Sequence, residues 1–500
     1  MEKRINYTIN YITENMHREY FEVLCDAETV HLNILMPEVC RCMGFVILED
    51  PRGQVRLQKL LGYGEQRLAV GRSGENTSIG GVPGKIEPGR WKLTLGIFAD
   101  YVQQKPGGQE AVIQAVLTDM QEEITEPVGC WVWTKDGECV LSDEKYGWEE
   151  IYSLHAGWYK GDFHTHTTLS DGKETTVGAT EKARQMELDF YVPTEHNLMH
   201  TGWCAKDICI LPGIEITTDN GHFNLFGVQR LPKRLMEIVA RNGEDIVEQY
   251  VREVMQEAKR EDWIVSLNHP FLTIWSWRYS RVRIEEFDCV EIINDPTYPA
   301  APESNDRAIR FLDTLWQDGH RIYGVGGSDS HNLDDEYYEG ADGPSIVGDP
   351  GTYVYCNTLT PAELMRQVKR GHICVTRFCQ IEPSITMNGT CYLPGDEILG
   401  KEAEEGTLHY HARITGLQEE PVIRLFINGK ALPVYPSAKE DGTFEADMTV
   451  TLHFKKWTWV RMEVRRRDGI FLGYINPVYC GKKEPCFQTF GEIISLMGEE

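Results

Sequence analysis

The segment "GDFHTHTTLSDG", residues 161–172, sets His164 and His166 one residue apart and places Asp171 five residues further on. In an extended strand residues i and i+2 point to the same face, so these two imidazoles can hold one ion together. Similar residue types recur along the middle of the chain, each just after or at the end of a run that reads as a buried strand. "LDFYVPTEHN" carries His196, "ICILPGIEIT" Glu215, "GHFNLFGV" His222, "WIVSLNHP" His269, and "RIYGVGGSDSHN" both Asp329 and His331. Any one of them alone reads as a satisfied structural histidine or a capping acid. Joint recurrence at strand ends reverses that reading, because side chains at the carboxyl ends of barrel strands converge on one mouth however far apart they lie in sequence. Imidazole and carboxylate together suit Mn, Zn or Fe(II). A catalytic zinc takes about three protein ligands, so this set implies two to three divalent metal ions. A second HxH, His409 and His411 in "LHYHARI", has no acidic motif beside it and reads as the solvent face of a strand.

Convergence of this kind requires strands alternating with helices, and residues 156–380 have that texture. "GEDIVEQYVREVMQEAKRED" repeats Ile246, Tyr250, Val251, Val254 and Ala258 at helical spacing, and "NDRAIRFLDTLWQDG" stripes through Ile309, Leu312 and Trp316. A third helix opens at "TPAE", with Thr360 as cap, Pro361 at the first helical position, Glu363 completing a capping box and Gly371 past the end. Residues 1–155 instead hold short alternating stretches such as "VHLNILMP" and "EAVIQAVLTDM" between Gly, Pro and polar turns, which predicts a β-sandwich. Strand texture returns with "IRLFING" and "TFEADMTVTL", predicting a second, immunoglobulin-like β-sandwich over 381–487 and a short tail over 488–500.

Composition narrows the partners. A net charge of -27 argues against nucleic acid, which is held mainly by Lys and Arg. No apolar run approaches the roughly 18 residues of a membrane span. The opening "MEKRINYTIN" lacks the apolar stretch of a secretory signal. The 14 cysteines are scattered, and their one tight pair, Cys40/Cys42, is neither a CxxC nor half of a zinc knuckle. Reduced thiols and a cytoplasmic location are the expectation.

On these motifs the middle segment resembles the polymerase-and-histidinol-phosphatase (PHP) superfamily of metal-dependent phosphoesterases. "FHTHTTLSDG" looks like its first motif, "TEHN" its second and "PGIEI" its third, followed by the histidine of "GHFNLFG", then "NHP" and "GSDSH". The resemblance implies an α/β fold: a distorted (β/α)7 PHP barrel flanked by the two β-sandwiches, closest in layout to the carbaryl-hydrolase-like branch. It also implies a division of ligands. His164, His166, Glu215 and Asp329 would take the first ion. Glu215 would bridge to a second ion held by His222 and His269, and Asp171, His196 and His331 would take a third.

The expected chemistry follows from the ions. Metal coordination lowers the pKa of water from 15.7 to about 7, so a metal-bridging hydroxide would attack the phosphorus of a small phosphate ester, with Asp329 or His331 relaying a proton to the leaving group. The same hydroxide can attack a carbamate, ester or amide, which is the runner-up reading. A non-catalytic glycan- or protein-binding role for the sandwiches is the third. Glu195 and Asn197 flank a ligand and are candidate supports, and Lys173, Arg278, Arg281 and Arg377 are candidate anion contacts.

Overall fold

The structure is a computed structural model that describes residues 2–9, 16–25, 27–37, 44–62, 64–97, 111–120, 122–341, 343–400 and 404–498. Cys40 and Cys42 lie outside them, and the described cysteines are free thiols.

The N-terminal strands form two four-stranded antiparallel sheets. One joins Glu2–Ile9, Ala111–Thr118, Thr29–Met36 and Gly64–Gly71, the other Met16–Val23, Gly89–Ile97, Gly44–Glu49 and Val55–Leu61. Period-two side chains such as Val30, Leu32 and Ile34 from the first sheet and Trp91, Leu93 and Leu95 from the second fill one core between them.

Seven strands organise the middle of the chain: β1 (Gly157–Thr165), β2 (Phe190–Pro193), β3 (Gly213–Thr218), β4 (Gly221–Phe226), β5 (Ile264–Leu267), β6 (Cys289–Asn294) and β7 (Tyr323–Gly327). β1 pairs parallel with β2, and β5, β6 and β7 pair parallel in order. β3–β4 and β4–β5 are antiparallel. Two single bridges complete the circuit: His196 with Glu215 links the end of β2 to β3, and Thr165 with Ser330 links β1 to the end of β7. The regular strand–helix alternation expected from the sequence is met only in part. Helices α1 (Thr176–Gln185), α2 (Val247–Arg260) and α3 (Ala301–Asp318) follow β1, β4 and β6. β3 and β4 form a tight hairpin, in which Gly221 takes a φ of 123°. The result is a mixed α/β architecture with many sheets and few helices.

Local sequence explains the helices. α2 buries Val251, Val254, Met255 and Ala258 along one stripe. In α4 (Pro361–Arg370) the Thr360 hydroxyl accepts from the Glu363 amide at 3.1 Å, and Gly371 ends the helix at φ 74°. The cap is one-sided, because the Glu363 carboxylate turns to Gln367 and Arg366. The segment 488–500 carries a helix, α5 (Phe490–Leu496), opened by a reciprocal Thr489/Glu492 capping box. Phe490 packs on Phe311 of α3 and on Phe271.

One sheet runs on past residue 380, while the strands beyond it enclose a core of their own. β1 also pairs with Gly351–Cys356, which continues through Ile373–Thr376 into Phe471–Cys480, Thr458–Arg465, Val422–Ile427 and Lys430–Val434 as part of one nine-stranded sheet. A five-stranded antiparallel sheet, including Gln380–Met387, Glu405–Thr415 and Phe444–His453, packs against its C-terminal half over Ile381, Tyr410, Leu425, Met462 and Ile475. Arg461 fastens the nine-stranded sheet to α3. Its guanidinium is 1% exposed and donates to both Asp313 carboxylate oxygens at 2.6 and 2.7 Å and to Glu463 at 2.9 Å. Removing one partner of a buried pair leaves the other uncompensated. Arg461→Ala is therefore expected to destabilise the protein by roughly 3–5 kcal/mol, read from denaturant midpoints. A loss below about 1 kcal/mol would contradict this.

Candidate metal centre

Strand ends bring the predicted residues together. In β1, Phe163 points into the apolar core against Phe190 and Phe226, so His164 faces the opposite way, toward the cleft. At the carboxyl ends of the strands the backbone is bent: Asn197 (φ 55°), His269 (25°), Asp295 (31°) and Asp329 (49°) all take positive φ. Each such non-glycine conformation costs on the order of 1–3 kcal/mol, a type of strain that clusters at functional sites. Gly327 is required by space, since a Cβ there would lie 2.3 Å from His164 Cβ and 2.6 Å from a Glu291 oxygen.

Glu215 lies at the centre. Its Oε1 is 3.3 Å from His164 Nε2, 3.1 Å from His222 Nδ1 and 3.6 Å from His269 Nε2. Its Oε2 is 2.5 Å from His196 Nδ1 and 3.9 Å from His166 Nε2. Asp329 Oδ1 stands 3.3 Å from His164 Nε2 and 3.0 Å from His166 Nε2. On the outer side, Asp171 Oδ1 is 3.3 Å from His196 Nε2 and 3.4 Å from His331 Nε2. The predicted metal-ligating residues thus all meet at one place. Three of the groupings close enough to hold an ion are His164/His166/Glu215, Glu215/His222/His269 and His166/Asp171/His196/His331. Their chemistry fits divalent cations. The Nε2 atoms of His164 and His166 are buried and make no hydrogen bond, although each faces carboxylate oxygens.

Neighbouring groups fix these side chains. Glu195, fully buried, accepts from the Thr167 amide and hydroxyl, the Ser170 amide and His200 Nε2, holding the loop after the HxH pair. Burial opposes its charge, yet His200 and the other donors bring its pKa down to about 2. Asn197 locks onto Thr217, donating to its carbonyl and accepting from its amide. Glu291 was missed by sequence reasoning. It faces His164 Nδ1 at 3.0 Å, accepts from the His269 amide at 3.0 Å and from Asn294 Nδ2 at 3.1 Å. A carboxylate on Nδ1 sets the tautomer that leaves Nε2 free for an ion. Asp295, also missed, lines the cleft, and burial together with Asp329 pushes its carboxyl up to about 6. The signal available for both was a charge at or beside the apolar run "CVEIIND".

The centre opens into a cleft of about 570 Å³. Arg278 is the one Lys or Arg among the described residues lining it. The other candidate anion contacts are paired elsewhere: Arg377 with Asp349, Arg281 with Glu248, Lys173 with Glu336. His409 and His411 lie on the Glu405–Thr415 strand, His409 exposed and His411 half-buried beside Asp447.

Protonation and metal binding compete for the same lone pairs. Burial, reinforced by His331 and His196, pushes His166 down to about 4, so it is neutral at neutral pH. Burial also opposes charge on His331, but Asp171 and Asp329 outweigh it and raise it to about 10.

No protein-family model matches this chain, and no curated protein matches it. Among solved structures, a Bifidobacterium adolescentis protein named, as a provisional assignment, a metal-dependent phosphoesterase aligns with 38% of this chain and 92% of its own at 16% identity, TM-score 0.26. A periplasmic inhibitor of g-type lysozyme from Aeromonas hydrophila aligns with 23% of this chain and 84% of its own at 7% identity, TM-score 0.15. Likenesses this weak leave the function to be read from the site.

Two outcomes are expected. Glu291→Gln should weaken metal affinity by roughly 10- to 100-fold, measured by competition with a chelating dye. An unchanged affinity would remove Glu291 from the centre. His331 has a raised folded pKa, so its ion pair with Asp171 stabilises metal-free protein fully below about pH 6.5 and is lost as pH rises through about 10. An incoming ion must displace that proton. Metal affinity should therefore rise with pH across this window with proton release, and a pH-independent isotherm would contradict it.

Proposed function

We propose that this chain is a metal-dependent hydrolase of the PHP type, a phosphoesterase acting on a small phosphate ester. What carries the reading is the convergence of six imidazoles and three carboxylates on one cleft, with buried Nε2 atoms aimed at carboxylate oxygens. The strand circuit over residues 156–380 is taken as a distorted (β/α)7 barrel, with sandwich domains over 1–155 and 381–487 and a tail over 488–500. Two to three ions of Mn, Zn or Fe would be held by His164, His166, Glu215 and Asp329, by Glu215, His222 and His269, and by Asp171, His196 and His331.

Divalent ions bound there lower the pKa of a water toward neutrality and neutralise charge on phosphate oxygens. Glu215, between His164, His196 and His222, would be shared by two ion positions. Asp329 and His331 face the cleft and are the side chains that would relay a proton to a departing oxygen, while Glu291 keeps the His164 imidazole from turning and Glu195 holds the loop after His166. A phosphate monoester brings about two negative charges, which suits several cations better than a neutral carbonyl does. With one basic side chain in the described lining, the attraction for an anion must come mainly from the ions.

Glu215→Gln should cost more metal and more turnover than Asp171→Asn, because Glu215 meets more of the cluster. Atomic absorption on the two variants checks the first, turnover at matched metal loading the second; the reverse order would refute the division of roles. A panel of nitrophenyl phosphate and bis-nitrophenyl phosphate against naphthyl carbamates and nitrophenyl esters tests the substrate class. Much faster turnover of carbamates or carboxylic esters, with no inhibition by inorganic phosphate, would replace the phosphoesterase with a carbamate or ester hydrolase on the same centre.

A further inference from the structure

The walls of the cleft differ in character from its floor. Above the imidazoles and carboxylates stand Leu272, Ile274 and Trp275 from the loop after His269, Tyr298 and Tyr338 from the segments after β6 and β7, and Phe45 from the N-terminal sandwich. Three of these aromatic residues form a chain: Trp275 meets Tyr298 edge to face at 6.1 Å, and Tyr298 meets Tyr338 edge to face at 5.2 Å. Tyr338 in turn touches the Asp295 carboxyl. Ile274 is 69% and Trp275 39% exposed, an unusual display of large apolar surface at the rim of a polar site.

Most polar side chains of the walls are engaged with the protein itself. Asn197 is tied to the Thr217 backbone. Thr218 donates to Gly221 O and accepts from Tyr279. Asp219 and Asn242 bond each other through side chain and backbone. A sugar ring can stack on an indole, but it also needs a dense field of free donors and acceptors, which these engaged side chains do not supply. A flat apolar group matches both the exposed indole and the saturated polar groups.

We propose that this wall is a subsite for an aromatic leaving group, with Trp275 as its principal contact and Tyr298 and Ile274 completing it. The inference rests on the phosphoesterase reading and makes the substrate an aryl or arylalkyl phosphate. The ring lies against the indole while its phosphate reaches the metal centre. Arg278, whose guanidinium makes one hydrogen bond among the described residues, to Ile274 O at 3.3 Å, keeps the 274–278 turn in the shape that presents Trp275.

The test separates the ring from the phosphate. 2-Naphthol, a leaving group without phosphate, is titrated into metal-loaded wild type, Trp275→Ala and Trp275→Phe by calorimetry, and inorganic phosphate is assayed on the same samples as a competitive inhibitor. Naphthol should bind wild type, bind Trp275→Phe nearly as well, and bind Trp275→Ala roughly tenfold or more weakly, with phosphate inhibition similar in all three. Failure of naphthol to bind wild type, or equal binding to Trp275→Ala, would overturn the subsite while phosphate inhibition upholds the phosphoesterase. Naphthol binding without any phosphate inhibition would overturn the phosphoesterase reading, and with it the assignment of the ring to a phosphate ester.

Discussion

Charge concentration is the constraint on which the rest of this molecule turns. Glu215, Glu291, Asp329 and Asp171 gather against six imidazoles in a largely buried volume, and a buried carboxylate without compensation costs several kcal/mol. Protons on the imidazoles answer part of this, as His331 does beside Asp171. They cannot answer all of it. His166 is stacked at 4.1 Å on His331 and 4.3 Å on His196, so charging it would add repulsion where burial already forbids it. Divalent cations would replace several protons with compact charge and use the same lone pairs. The strained strand ends, the glycine at 327 and the fixed tautomer of His164 then make sense as means of aiming those lone pairs.

Such aim depends on elements well away from the cleft. The loop after the HxH pair is gripped from inside by Glu195 and from outside by the N-terminal sandwich. Lys59 donates to Thr168 O and the Leu60 amide to Leu169 O, while the Thr168 hydroxyl donates to Glu126. β1 is held along its other edge by Gly351–Cys356, and through that strand by the nine-stranded sheet that runs on to the C-terminal strands. Both flanking regions therefore brace the strand that carries His164. They do more than shield an apolar surface.

How much of this the sequence carried differs by feature. The residues proposed as ligands were legible because each sits in a short motif at a strand end, and strand ends are where convergence is geometrically forced. The helices were legible from their apolar stripes, and the hairpin between β3 and β4 had its signal in the Asp219-Asn220-Gly221 turn. Glu291 left only a weak mark, its charge within an apolar run. It is 127 residues from His164 in sequence, and a lone acid in an apolar strand has no spacing to mark its purpose. The pairing of Arg281, Arg377 and Lys173 with acids was equally hidden, because a charge does not announce its partner. The regular βα repeat was over-read: apolar runs of strand length do not specify whether the next connection is a helix or a hairpin.

The arrangement also joins a candidate ligand and the apolar wall through one loop. His269 and Trp275 belong to one continuous loop, so the candidate ligand and the wall above it are only six residues apart. Between them and the rest of the fold stands Trp277, which is buried against Phe223, Tyr279, Phe287 and Phe490, with its amide bonded to Pro270 O. The next amide, of Arg278, is bonded to Asn220 O in the β3–β4 turn. This anchor fixes the base of the loop, and its tip is tied back toward the ligand by the Trp275 amide on Leu272 O and the Leu272 amide on His269 O. Exchanges at 274 and 275 alter the side chains of the wall, while these backbone bonds and the Trp277 anchor hold the path of the loop. A site divided in this way can keep its chemistry fixed while the exposed turn varies, which is why loops on rigid scaffolds so often carry specificity.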